Sequence, residues 1–133
     1  MLSESPNHML RPFITVEGQA QSALDFYGEV FPDFTLHDLT HHAAPHDGLI
    51  MTAVFEVKGQ QMMISDSFIS HDWSITPGIS FFIDLEGEAE LNRLAAALAE
   101  GGMVHMPAGN YGFSTLFAWV QDRFGVNWQL NVA

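Results

Sequence analysis

The string Phe13-Ile14-Thr15-Val16-Glu17-Gly18-Gln19-Ala20 returns as Phe82-Ile83-Asp84-Leu85-Glu86-Gly87-Glu88-Ala89, 69 positions later. Phe, Ile, Glu, Gly and Ala match in place; Val/Leu and Gln/Glu are conservative exchanges. A second echo, Gly59-Gln60-Gln61-Met62-Met63-Ile64 with Gly125-Val126-Asn127-Trp128-Gln129-Leu130, follows in the same order at an offset of 66. Two ordered matches at nearly equal offsets imply two homologous halves with a small length difference.

Each half reads alike. Leu10 to Val16 is an apolar strand. Ala20, Ala23, Leu24, Tyr27 and Phe31 then recur at helical spacing, so residues 20–31 form an amphipathic helix. Pro32 and Asp33 stop it, because proline cannot continue the hydrogen-bond ladder. Phe34 to Thr40 is a strand, His41 to Gly48 a polar loop, and Ile50–Val57 with Gln60–Ser65 a hairpin around Lys58-Gly59. Asp66 to Thr76 is a linker. Ile79 to Leu85 opens the second half; Leu91, Leu94, Ala95 and Leu98 mark one helix face, and Gly101 stands at a helix C-terminus. Met103 to Met106 is a short strand. Leu116–Gln121 and Val126–Val132 form a hairpin around Arg123-Phe124-Gly125.

Strand, helix and three strands, twice over, predict an α+β fold with curved sheets and helices outside. We expect a single domain over residues 10–132, made of modules at about 10–68 and 77–132, behind a flexible leader at 1–9. A cleft between two concave faces is the expected place for a small ligand.

Composition narrows the function classes. Hydrophobic residues are 47% of the chain, enough to bury a core. Four Lys+Arg against 16 Asp+Glu give a formal charge of −12, which disfavours nucleic acid and anionic membrane surfaces as partners. No apolar run is long enough to span a bilayer, and the polar, acidic start lacks the pattern of a signal peptide. With no cysteine there is no disulfide, thiolate nucleophile or Cys-ligated zinc, which fits a cytoplasmic location.

Ala23-Leu24-Asp25-Phe26-Tyr27 with Phe31-Pro32, Ile64-Ser65-Asp66-Ser67, Gly101-Gly102, Met106-Pro107 and, most specifically, the run Trp119 to Leu130 are similar to the vicinal oxygen chelate superfamily. This is the glyoxalase and bleomycin-resistance fold; the chain resembles its PhnB-like subfamily, often labelled after 3-demethylubiquinone 3-methyltransferase. The resemblance covers roughly residues 10–132 and implies paired βαβββ modules forming a cupped sheet, and a homodimer.

The resemblance also implies where a divalent metal would be held: by His and Glu on the first and last strands of each module. Carried over through the repeat, those positions fall within a residue of Pro12, Met63, Phe81 and Gln129. Pro and Phe cannot ligate, Met is soft and Gln is a weak oxygen donor. No His or Glu lies within one residue of the four, so we expect no metal at that site and no cofactor. The methyltransferase label is not supported by the sequence. A doubly wound methyltransferase needs a glycine-rich turn after its first strand, whereas Gly101-Gly102 follows a helix.

Several candidate residues have two readings. On the last strand Trp128, Leu130 and Val132 alternate with Asn127, Gln129 and Asn131. The amide-rich face either lines a ligand site or meets water. His37, His41, His42 and His46, beside Asp38 and Asp47, are either a transition-metal site or a solvated loop. Asp66-Ser67 and Trp73 form either a polar cleft mouth or a turn with an aromatic cover. Asp122-Arg123 reads as a hairpin turn, and His71 and His105 as packing or surface residues. No serine has a nucleophile elbow or a nameable histidine partner. Among the many aromatics, some line the core and some a cavity suited to a planar or apolar ligand. The ligand-binding candidates are therefore Gln129, Asn127, Met63, Phe81, Trp119, Asp66 and Trp73.

These readings predict a protein that binds an unidentified small molecule without the usual metal. The alternative is a metal-dependent lyase, isomerase or dioxygenase with a displaced site using Gln129 and a histidine. A third is a structural or regulatory dimer without a ligand.

Overall fold

The computed structural model describes residues 9–133, so most of the leader expected at 1–9 lies outside the described residues. Two compact units meet between His71 and Asp72. Among the described residues there are two helices and eight strands, arranged as two four-stranded mixed sheets in an α+β fold.

The first unit holds β1 (Phe13–Val16), α1 (Ala20–Val30), β2 (Thr35–His41), β3 (Ile50–Val57) and β4 (Gln60–Asp66). Its strand order is β1-β4-β3-β2, with β1 parallel to β4 and the other pairs antiparallel. The apolar positions predicted for the helix, Ala20, Ala23, Leu24, Tyr27 and the adjoining Phe31, are all buried. Tyr27 stacks on Phe55 of β3 with ring centres 5.9 Å apart, which fixes the side of the sheet that α1 covers. Lys58 and Gly59 turn the β3–β4 hairpin with both φ positive, at 54° and 80°. That is the backbone twist a two-residue hairpin requires, and the Lys58 amide is held by Asp33 Oδ2 at 2.8 Å.

The second unit repeats the pattern with β5 (Phe81–Leu85), α2 (Glu88–Ala99), β6 (Met103–Gly109), β7 (Leu116–Gln121) and β8 (Asn127–Val132). The order is β5-β8-β7-β6, again with one parallel pair, β5 with β8. Leu91, Leu94 and Leu98 are the buried residues of α2, and the strand residues under that helix side include Leu130, Val120 and Ala118. The Gly101-Gly102 pair now has two physical reasons. Gly101 has φ +78°, the left-handed conformation that ends a helix. Gly102 lies so close to the next hairpin that a Cβ there would come within 2.0 Å of the Gln121 carbonyl oxygen.

Candidate functional site

Strand pairing sorts the second sheet into two faces, since paired residues point to the same side. Trp128, Leu130 and Val132 share one face with Phe81, Ile83 and Leu85 on β5, and with Val120, Ala118 and Leu116 on β7. This is the buried, helix-covered side. The other face carries Gln129 and Asn131 opposite Phe82 and Asp84, and Asn127, Gln129 and Asn131 opposite Gln121, Trp119 and Phe117. The amide-rich face read from the sequence is therefore also aromatic.

Its polar groups are tied together. Trp119 Nε1 donates to Asn127 Oδ1 at 3.1 Å, and Asn127 Nδ2 donates to Gln121 Oε1 and to the Gly125 carbonyl. Gln129 Nε2 donates to Ser80 Oγ at 2.8 Å, and Asn131 Nδ2 to Asp84 Oδ1 at 3.2 Å. A bulge in β6 after Val104 turns His105 toward Trp119, with ring centres 5.1 Å apart. Two polar atoms here, His105 Nε2 and Asn131 Oδ1, are buried without a hydrogen-bond partner. A native fold rarely leaves such atoms unpaired. Trp119 and Gln129 are half-buried, while Phe82 is 54% exposed.

The sequence-derived candidates are not all brought together. Gln129, Asn127 and Trp119 share this face; Phe81 does not, since it pairs with Trp128 and packs against that ring at 5.2 Å. Phe82 stands beside Gln129 instead. The first unit repeats this arrangement with Phe13 opposite Met63.

Asp66 is buried, and its carboxylate accepts the Ala20 amide at 2.9 Å and the Ile50 amide at 3.0 Å. Trp73 is 55% exposed, near the start of the second unit. Asp122, read as a turn residue, is also an internal anchor. Its Oδ1 accepts the Phe124 and Val126 amides, and its Oδ2 accepts Trp128 Nε1 at 2.9 Å.

Met63 and Gln129, two of the positions at which the resemblance would put a metal ligand, pair with Phe13 and Phe82, each one residue from the expected Pro12 and Phe81. Two hydrocarbon rings, a thioether and a neutral amide do not fit a hard divalent ion. Among the described residues no three His, Asp or Glu side chains are grouped to hold a metal. Three of the four histidines of the 37–46 segment are engaged separately: His37 with Glu56 at 2.9 Å, His42 Nε2 with the Asp66 carbonyl at 2.7 Å, and His46 stacked on Phe68 at 4.0 Å. The sequence reading named no histidine partner for a serine, yet His71 Nε2 lies 2.8 Å from Ser67 Oγ. That hydroxyl is engaged in its own turn as well, contacting both the Ile69 carbonyl and its amide.

The profile of the 3-demethylubiquinone-9 3-methyltransferase family matches residues 8–131. The chain belongs to this family. Among solved structures, it is 32% identical to the PhnB protein of Bacillus cereus, with a TM-score of 0.88 over 93% of this chain and 98% of that one. Protein PA1353 of Pseudomonas aeruginosa is 30% identical, with a TM-score of 0.80 over 92% and 96% of the two chains. A glyoxalase/bleomycin resistance protein/dioxygenase domain from Frankia shares the fold at 13% identity, with a TM-score of 0.69 over 98% and 93%. No curated protein matches the sequence. These likenesses place the family in the PhnB-like branch of the vicinal oxygen chelate superfamily.

Proposed function

We propose that this protein binds a small molecule against the open face of its second sheet, without the divalent metal its superfamily commonly uses. The observation that carries the reading is the Phe82–Gln129–Trp119 row across β5, β8 and β7. It puts an exposed ring, a primary amide and an indole side by side where a metal ligand would otherwise stand. Rings supply apolar area and stacking, and the amide supplies direction. Asn127 supports the indole rather than the ligand, because its own groups are already bonded. Met63 and Phe13 form the corresponding row of the first unit; Asp66 acts as a structural anchor and Trp73 as a peripheral contact.

The methyl transfer named in the family's description finds no support in the fold. Each sheet has a single parallel strand pair, and neither strand-to-helix turn is glycine-rich as nucleotide-like cofactor sites require. The complete lack of cysteine supports a cytoplasmic location, and the edge strands β2 and β6 suit assembly as a homodimer. Among the described residues no helix is long and apolar enough to cross a membrane. The strong negative charge argues against nucleic acid as the partner.

A panel of planar aromatic and heterocyclic metabolites, screened by thermal shift, tests the reading. A ligand that binds the native state raises the melting temperature. Trp119→Ala and Gln129→Ala should each weaken the best binder about tenfold, with Asn92→Ala, exposed on α2 at the other side of the same sheet, as the unaffected control. Binding that ignores both face variants would overturn the proposal.

A second reading, a displaced metal centre using Gln129 and a histidine, is favoured by one observation, the unpartnered His105 Nε2. Its difficulty is that Trp119 stands between His105 and Gln129. Stoichiometric zinc, iron, nickel or manganese in the purified protein, lost in Gln129→Ala, would establish it instead.

A further inference from the structure

One corner of the open face is chemically one-sided. Phe117, Asn131 and Asp84 form a row across β7, β8 and β5. Phe117 is 3% exposed, and three far more exposed rings surround it. Phe113 meets it edge-on at 5.0 Å, Tyr111 edge-on at 6.2 Å, and Phe82 at 6.3 Å. Tyr111 and Phe113 stack on each other at 6.4 Å. Three aromatic side chains that remain 42%, 62% and 54% exposed around a buried fourth are costly to leave in water.

The polar groups at the same corner are acceptors. Asn131 Nδ2 donates to Asp84 Oδ1, which fixes the amide orientation, since the flipped amide would set two oxygens against each other. Asn131 Oδ1 is then left out of solvent with no donor. The titratable residues of this face are Asp84, His105 and Tyr111, and none is Lys or Arg. The basic side chains of the unit lie elsewhere: Arg93 on α2, and Arg123 in the β7–β8 turn beside Glu100. A carboxylate, an acceptor without a donor, and the negative faces of aromatic rings all favour the same visitor.

We infer that the ligand of this face carries a protonated amine, seated at the Asp84–Asn131–Phe117 corner. This rests on the binding reading above and adds the ligand's chemical class. The ammonium N–H groups donate to the exposed Asp84 carboxylate, and the unpaired Asn131 Oδ1 beneath it adds negative potential without being touched. The polarised C–H groups beside the nitrogen lie over the Phe113 and Tyr111 rings, where a cation is attracted to the ring face. The apolar body of the ligand extends along Phe82 toward Trp119. A carboxylate or phosphate ligand would meet Asp84 and a chain of net charge −12 instead.

Three probes of nearly equal shape test this by NMR titration at neutral pH: 2-phenylethylamine, 2-phenylethanol and phenylacetate. The amine, cationic at that pH, should bind about tenfold tighter than the alcohol, and phenylacetate more weakly than either. The Asn131 side-chain amide and Trp119 indole resonances should move together. Asp84→Asn keeps an acceptor for Asn131 Nδ2 and so preserves the fold; it should remove most of the amine preference without weakening the alcohol. Glu88→Gln on α2, which removes one negative charge from the helix side of the same sheet, should leave the preference intact. Equal binding of amine and alcohol at these resonances would overturn the inference while leaving the binding reading in place. A preference that survives Asp84→Asn would overturn it as well, and so would an anionic best ligand from the wider panel.

Discussion

Asp66 Oδ1 accepts the backbone amide of Ala20 at 2.9 Å, so the last residue of β4 caps the first turn of α1. The helix has no side-chain cap of its own at Gln19, and the carboxylate supplies both an acceptor and a negative charge at the positive end of the helix dipole. The other oxygen takes the Ile50 amide, tying the start of β3 to the same point. Asp66→Ala strands two buried donors, so it should lower unfolding stability by about 3 kcal/mol. Asp66→Asn, which keeps one acceptor, should cost less. Urea unfolding at constant m-value measures both, and a loss below about 0.5 kcal/mol for the alanine variant would contradict the capping role.

Glycine substitutions should rank by the space around each Cβ. Gly102→Ala drives a methyl into the Gln121 carbonyl, at 2.0 Å, and the Asp122 backbone, at 2.7 Å; backbone cannot yield cheaply. It should cost about 3 kcal/mol or prevent folding. Gly101→Ala places a Cβ at φ +78° near Arg123 and should cost about 1 kcal/mol. Gly48→Ala meets nothing within 4 Å and needs no left-handed backbone, so it should be close to neutral. Thermal melting of the three variants checks the order.

The Trp128–Asp122 bond should prove to be a coupled buried pair. Trp128→Phe removes the donor to Asp122 Oδ2 and leaves a small void, for an expected loss of about 2 kcal/mol. Asp122→Ala also releases the Phe124 and Val126 amides and should cost more. The double variant should be less damaged than the sum of the singles, by about 1 kcal/mol in a double-mutant cycle. Additive losses would mean that the hydrogen bond carries little of the effect.

The repeat made the fold readable, because the matching strings end a strand and enter a helix in both halves. Element ends moved by a few residues: the strand expected from Ile79 begins at Phe81, and the one expected to end at Met106 runs to Gly109. The site was only half visible. Alternation along β8 separates Gln129 from Trp128, but in Phe81-Phe82 two adjacent identical rings hide the phase. Only the parallel pairing of β5 with β8 sets Phe82, not Phe81, beside Gln129. Asp66 and Asp122 carry the composition of turns, and a turn aspartate and a buried anchor look alike until the distant amides are placed. The ring cluster at Tyr111 and Phe113 lies in a segment without periodicity, so no pattern announced it. The pairing of Ser67 with His71 likewise depends on a bend that only coordinates reveal.

Calorimetric titration decides whether this sheet face binds its ligand without a metal. The strongest binder from the metabolite panel is titrated into protein dialysed against a chelator, then into protein resupplied with zinc, manganese, nickel or iron. The expected result is one affinity under all conditions, within about twofold, and a loss of about tenfold in Trp119→Ala. Binding that disappears with the chelator and returns with one stoichiometric metal would contradict it.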